Sequence, residues 1–194
     1  MSFQKIIYIH VNKCGGTSVK KVFNGLKHIS IPSNDNIIDL IGTGKWNNSV
    51  KVTIVRNPYD RVKSLYKMLL RDNKFVSIER FFEILVDASI DYKMINGKLP
   101  TGDSYIKRHC LPLSHEHYGL VKDDKIIIDH VFKLENIKTD WSIIQKICNC
   151  KSSLPKKNIS NSKSIKFSKE QIEIINNYYN LDFKLFQYKK KFNN

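Results

Sequence analysis

The chain has 194 residues, 41% hydrophobic and 26% charged, which suits one globular domain over residues 1–194 with a full core. Its net charge of +15 calls for an anionic partner: a nucleotide, a sulfated or uronic glycan, nucleic acid or an acidic membrane. No apolar run approaches the roughly 20 residues of a membrane span, and residues 1–11 lack the basic region and small-residue cleavage site of a secretory leader, so the expectation is a soluble, cytoplasmic chain with reduced thiols.

Residues 6–11 form an apolar run rich in β-branched side chains and predict a buried strand. Two glycines and Thr17-Ser18 follow, then a helix to about Leu26. Residues 50–55 predict a second strand. Asn57 and Pro58, a good N-cap before a good first helical residue, open a helix to about Arg71. Residues 77–88 predict another helix, with Ile78, Phe81, Phe82 and Leu85 on one face. Over 91–120, Gly97, Pro100, Gly102 and Pro112 interrupt any period, and an irregular segment is expected. Residues 126–134 read as a strand. Helices are expected over 138–149 and 168–186, the second starting at Ser168 with Gln171 at capping-box spacing. Strands alternating with helices predict an α/β fold: a P-loop-like three-layer domain with a mostly parallel central sheet flanked by helices.

Two segments carry chemistry. The first, residues 10–18 (HVNKCGGTS), joins a buried strand to a helix, the place where an α/β fold binds a nucleotide phosphate. Gly15 and Gly16 let the backbone approach an anion. Free N–H groups at the helix start point at it, Lys13 adds a charge, and Thr17 and Ser18 add hydroxyls. In the Walker A pattern the Lys follows the last Gly, whereas here Lys13 precedes both, which removes the main support for a magnesium-nucleotide kinase. The second segment is residues 56–66 (RNPYDRVKSLY). Arg56 ends a strand, and Ser64 lies seven residues after Asn57, so two helical turns bring it back to the same face. Arg56 and Ser64 thus suit one phosphate. Arg61 is read equally as a structural ion pair or a ligand contact.

Together these segments resemble the PAPS-dependent sulfotransferases (PAPS is 3'-phosphoadenosine-5'-phosphosulfate), especially the carbohydrate branch and its bacterial relatives. That family carries an "H-x-P-K-x-G-G-T-S" loop for the 5'-phosphosulfate and an "R-[ND]-P-x-x-R-x-x-S-x-Y" segment for the 3'-phosphate. Lys27-His28, Trp46, His109 to Pro112, Asp129 to Asn136, Leu154 to Asn158 and Tyr179 to Tyr188 also resemble family positions in order and spacing, from about Ile6 to Tyr188. Asn12 stands where the family has Pro, Lys156 where it often has His, and Leu113 where it often has Gln.

The resemblance implies sulfuryl transfer from PAPS to a hydroxyl of an acceptor, a carbohydrate that can itself be anionic, with no metal, nucleic acid or membrane span required. It implies Lys13, Cys14, Gly15, Gly16, Thr17, Ser18, Arg56, Ser64 and Asn158 as donor contacts, with Lys13 also catalytic. His28 is the first choice for the general base, by family position and by following the helix that leaves the loop. His109 and Glu135 are candidate acceptor contacts, Glu135 being read more readily as a carboxylate that pins a loop. His10, inside an apolar strand, is read as core packing. Cys148 and Cys150 have no second Cys pair to complete a zinc site, and His115-Glu116-His117 reads as a polar loop. Two alternatives stand beside this reading: another nucleotide-dependent transferase or kinase of P-loop type, and a non-catalytic relative that binds an anionic ligand. Neither the acceptor nor the oligomeric state is legible.

Overall fold

The computed structural model describes residues 4–72, 76–94, 98–154 and 165–192. In chain order its elements are β1 (Lys5–Ile9), α1 (Gly16–Phe23), β2 (Ile29–Ser30), α2 (Ile37–Leu40), α3 (Gly44–Asn47), β3 (Ser49–Val55), α4 (Pro58–Arg71), α5 (Ile78–Val86), α6 (Gly102–Cys110), β4 (Val121–Lys122), β5 (Lys125–Ile126), β6 (His130–Lys133), α7 (Ile137–Ile147), α8 (Lys169–Tyr178) and α9 (Asn180–Leu185). They group into two compact units, Met1–Asn57 with Leu113–Ser160, and Pro58–Pro112 with Asn161–Asn194.

The first unit holds a four-stranded sheet in the order β2-β1-β3-β6, every neighbouring pair parallel. This is the α/β architecture with a parallel central sheet expected from the alternation of strands and helices. Because the strands run one way, the carboxyl ends of β1, β3 and β6 share an edge, and the segments that follow them lie along it. Ile6, Tyr8, Val52 and Ile54 from the strands pack with Val19 and Phe23 of α1 and with Ile137, Trp141 and Ile144 of α7. Phe23 sits between the other two aromatic rings, edge-on to Tyr8 at 5.1 Å and stacked on Trp141 at 6.5 Å. Each such side chain taken out of water contributes about 1.5–3 kcal/mol.

The predicted strand over 126–134 is shorter than expected. Asp123 and Asp124 adopt left-handed φ of 50° and 54° and turn β4 back onto β5. The Asp129 carboxylate then accepts the Lys51 amide at 2.7 Å and pairs with its ammonium at 2.9 Å, so the ladder starts only at His130.

The second unit is helical. Along α4, Val62, Leu65, Tyr66 and Leu69 recur at helical spacing and are buried with Phe81, Phe82, Ile84 and Leu85 of α5. Pro58 is the first residue of α4, and Ser168 and Gln171 form the reciprocal capping box at the start of α8. Two expectations are corrected here. The segment over 91–120 contains α6, which the sequence hides because its buried face carries Lys107 and Arg108 beside Ile106 and Cys110; Pro100 and Pro112 bound this helix rather than break it. The helix expected over 168–186 is broken at Tyr179 (φ −102°, ψ 23°), whose buried phenol donates to the Cys110 carbonyl at 2.6 Å.

Candidate active site

The site grows from the end of β1. The buried Thr53 hydroxyl of β3 donates to the carbonyl of Ile9, the last β1 residue, at 2.9 Å, which fixes where the strand stops. The chain then turns through Lys13 at φ 65° and Gly15 at φ 75° into α1. Both glycines lie against neighbouring side chains. A Cβ on Gly15 would stand 2.5 Å from Leu134 Cδ1, in a left-handed conformation that side chains resist; a Cβ on Gly16 would stand 1.9 Å from His10 Nδ1. Gly15 occupies the N-cap and offers no side chain to the first N–H groups of α1, whose first turn also lacks an acidic residue. A helix start of this kind presents amide hydrogens and the positive end of its dipole to an anion.

Two further contacts organise this edge. Arg56, one residue beyond β3, donates through Nη1 to the Lys13 carbonyl at 3.2 Å. Glu135, just after β6, accepts the Asn57 amide through Oε1 at 2.8 Å. Lys13 and Arg56, two half-buried cations, are thereby held beside the glycine turn. Thr17 is exposed and Ser18 half-buried, whereas the Cys14 side chain is buried, so Cys14 presents only backbone.

The other residues singled out from the sequence belong to other elements. His28 immediately precedes β2, its carbonyl accepting the Ile6 amide at the start of β1. Its Nε2 lies 2.8 Å from the Cys148 carbonyl beyond the far end of α7. His28 is therefore at the starting end of the parallel strands, and the glycine turn is at their finishing end; the fold does not bring His28 and Lys13 together. Ser64 is half-buried on α4 in the second unit. His109, on α6 of that unit, places Nδ1 2.8 Å from the Tyr105 carbonyl and its ring 4.2 Å from the Tyr105 ring. Arg61 is buried and donates to the carbonyls of Leu111 at 2.8 Å and His109 at 3.3 Å. In the His115 to His117 segment, the His115 Nδ1 accepts the His117 amide at 3.1 Å. Asn158 lies outside the described residues.

His10, read from the sequence as core packing, is placed at the glycine turn. Its ring lies on Gly16 and borders two clefts, one of about 210 Å³ with Lys20, Ile31, Pro32, Ser33 and Asn34, the other of about 370 Å³ with Thr17, Lys20, Lys21 and Asn24. Among the described residues no carboxylate lines either cleft. Burial first, and the Lys20 charge second, hold the His10 pKa below its ordinary 6.5, so the ring is neutral at pH 7. The apolar neighbours of His10 suggested core packing. The signal that could have found it is its place as the first residue after the strand, directly before the loop.

Fold and edge together define an α/β protein with a strand–glycine turn–helix junction at the carboxyl edge of a parallel sheet, where Lys13 and Arg56 stand beside an uncapped helix start. The chain belongs to the sulfotransferase family, whose family model matches residues 2–189. No curated protein and no solved structure matches the chain. Sulfuryl transfer to a hydroxyl acceptor is the chemistry of the family, and PAPS is its donor. Among the described residues no helix is long and apolar enough to cross a membrane.

Proposed function

We propose that this protein transfers the sulfuryl group of PAPS to a hydroxyl of a carbohydrate acceptor by in-line displacement. The observation that carries the reading is the start of α1: two glycines at which a Cβ would displace Leu134 or His10, a helix with no side-chain cap and the Lys13 carbonyl bonded by Arg56. PAPS supplies the sulfuryl group: the acceptor oxygen bonds to sulfur as the bond from sulfur to the oxygen bridging the 5'-phosphate breaks, adenosine 3',5'-bisphosphate leaves, and the hydroxyl proton passes to a general base or to water. Lys13 and the first amides of α1 face the charge that grows on that bridging oxygen, a stabilisation that costs no reorganisation at the moment of transfer. Gly15 and Gly16 admit the 5'-phosphate to the backbone, and Thr17 and Ser18 donate hydroxyl hydrogens. The assignment of Arg56 and Ser64 to the 3'-phosphate rests on the family segment they occupy, and an anionic glycan as acceptor rests on the excess of cations, +15 over the whole chain.

Calorimetry with adenosine 3',5'-bisphosphate and adenosine 5'-monophosphate tests the donor site. The bisphosphate is expected to bind at least tenfold more tightly, since charge-assisted hydrogen bonds contribute about 1.5–3 kcal/mol each, and Arg56→Ala is expected to abolish most of that preference. Equal affinities in the unaltered protein refute the reading. Sulfur-labelled PAPS offered with a panel of neutral and uronic-acid glycans then identifies the acceptor.

A further inference from the structure

His10 has a buried Nδ1 with no hydrogen-bond partner, and the ring lies on the first residue of the helix at which the proposed donor site is built. A buried polar atom without a partner is costly and uncommon in a folded chain. With Nδ1 enclosed, Nε2 is the ring nitrogen left to face the clefts that His10 shares with Thr17, Lys20, Ser33 and Asn34.

The surroundings select the tautomer. A proton on Nδ1 would be a buried donor with no acceptor, pressed against the N–H-rich, positive end of α1. A lone pair on Nδ1 instead faces that positive end favourably, which puts the proton on Nε2. Lys20 and Lys21 are the charged groups lining the clefts, and residues 31–34 contribute none, so nothing there favours a second proton. The histidine is thus a fixed, uncharged donor, a role for which helix N-termini are known to suit imidazole.

We propose that His10 donates a hydrogen bond from Nε2–H to a sulfuryl oxygen of PAPS and so distinguishes the sulfated donor from its spent product. This rests on the donor-site reading above. The 5'-phosphate is served by the amides of α1 and by Lys13, while Nε2 opens on the clefts beyond the helix start; the partner that remains for it is the group attached beyond that phosphate. His10 does not act as the base: it gives no proton away and takes none up in the transfer.

The test needs no acceptor. Dissociation constants for PAPS and for adenosine 3',5'-bisphosphate are measured on the unaltered protein, His10→Ala and His10→Gln. His10→Ala is expected to weaken PAPS about tenfold, the loss of one hydrogen bond to a charged group, and to leave the bisphosphate within about twofold. His10→Gln, whose amide nitrogen can replace Nε2–H, is expected to recover most of the PAPS affinity. Side-chain nitrogen NMR on the unaltered protein should show the neutral His10 ring protonated on Nε2 alone at about pH 8. Equal weakening of both nucleotides by His10→Ala would reduce His10 to a packing residue and overturn the proposal. Unchanged PAPS affinity in His10→Ala, or a proton on Nδ1, would overturn it too. Failure of the unaltered protein to bind either nucleotide would remove the donor-site reading itself, an outcome distinct from loss of the His10 contact alone.

Discussion

The two units treat buried polar groups in opposite ways. In the second unit the buried cations are spent on backbone carbonyls: Arg61 on Leu111 and His109, Lys107 on Leu85 near the end of α5 at 2.8 Å, and Arg108 on Tyr92 at 3.1 Å. The last carbonyls of a helix lack partners within it, and a cation there satisfies them and opposes the dipole. In the first unit, at the carboxyl edge of the sheet, a ring nitrogen of His10 is left without a partner, the start of α1 is uncapped, and cations gather with no carboxylate among the described residues lining the adjoining clefts. Charges already satisfied by the chain stabilise it. A helix start that the chain leaves uncapped is available to a ligand.

This contrast is most directly broken at Lys13. Lys13→Ala is expected to lower turnover by roughly 10²–10³, the loss typical of one preorganised donor at a developing oxyanion, with a smaller loss of PAPS affinity; near-normal turnover would make Lys13 a bystander. The opposite arm is Arg61→Ala. Removing a buried guanidinium strips partners from two carbonyls and leaves a void, so a destabilisation of about 3 kcal/mol is expected, read by denaturant unfolding of the whole chain. A loss well under 1 kcal/mol would show that this cation is not structural.

The smallest effect is in pH dependence. The His10 pKa is held below 6.5 in the fold by burial and by Lys20, so the unfolded chain binds its proton first as pH falls. The neutral ring's contribution to stability is fully present above the unfolded value of about 6.5 and is lost as pH falls from there through the folded value. The unaltered protein should therefore lose stability relative to His10→Gln between pH 7.5 and 5.5. A stability difference that stays constant over that range would mean His10 titrates alike in both states.

Much of the site was legible because it is local. Lys13, Gly15, Gly16, Thr17 and Ser18 lie on one strand–turn–helix connection, and their spacing alone prescribes a glycine turn into a helix start. The start of α4 at Pro58 and the Ser168–Gln171 capping box were equally readable, since caps are satisfied within a single turn. His28 was misplaced for the complementary reason. Sequence proximity to the loop gave no sign that α1 carries the chain back to the starting end of β1, where Ile6 and Ile29 pair. The helix α6 was missed because Lys107 and Arg108 are buried on it, and no period of apolar residues reveals a cation that will find a carbonyl 22 residues away in sequence, as Lys107 does at Leu85.

By itself, then, the sequence determined the alternation of strands and helices, the parallel sheet and the glycine turn into α1, all of which follow from periodicity, capping and glycine sterics over a few residues. Only the tertiary structure decided that Arg56 reaches the Lys13 carbonyl, that Glu135 holds the Asn57 amide, and that His10 rather than His28 stands at the glycine turn. Those contacts join residues on different strands and loops, and they exist only once parallel pairing has brought the carboxyl ends of β1, β3 and β6 to one edge.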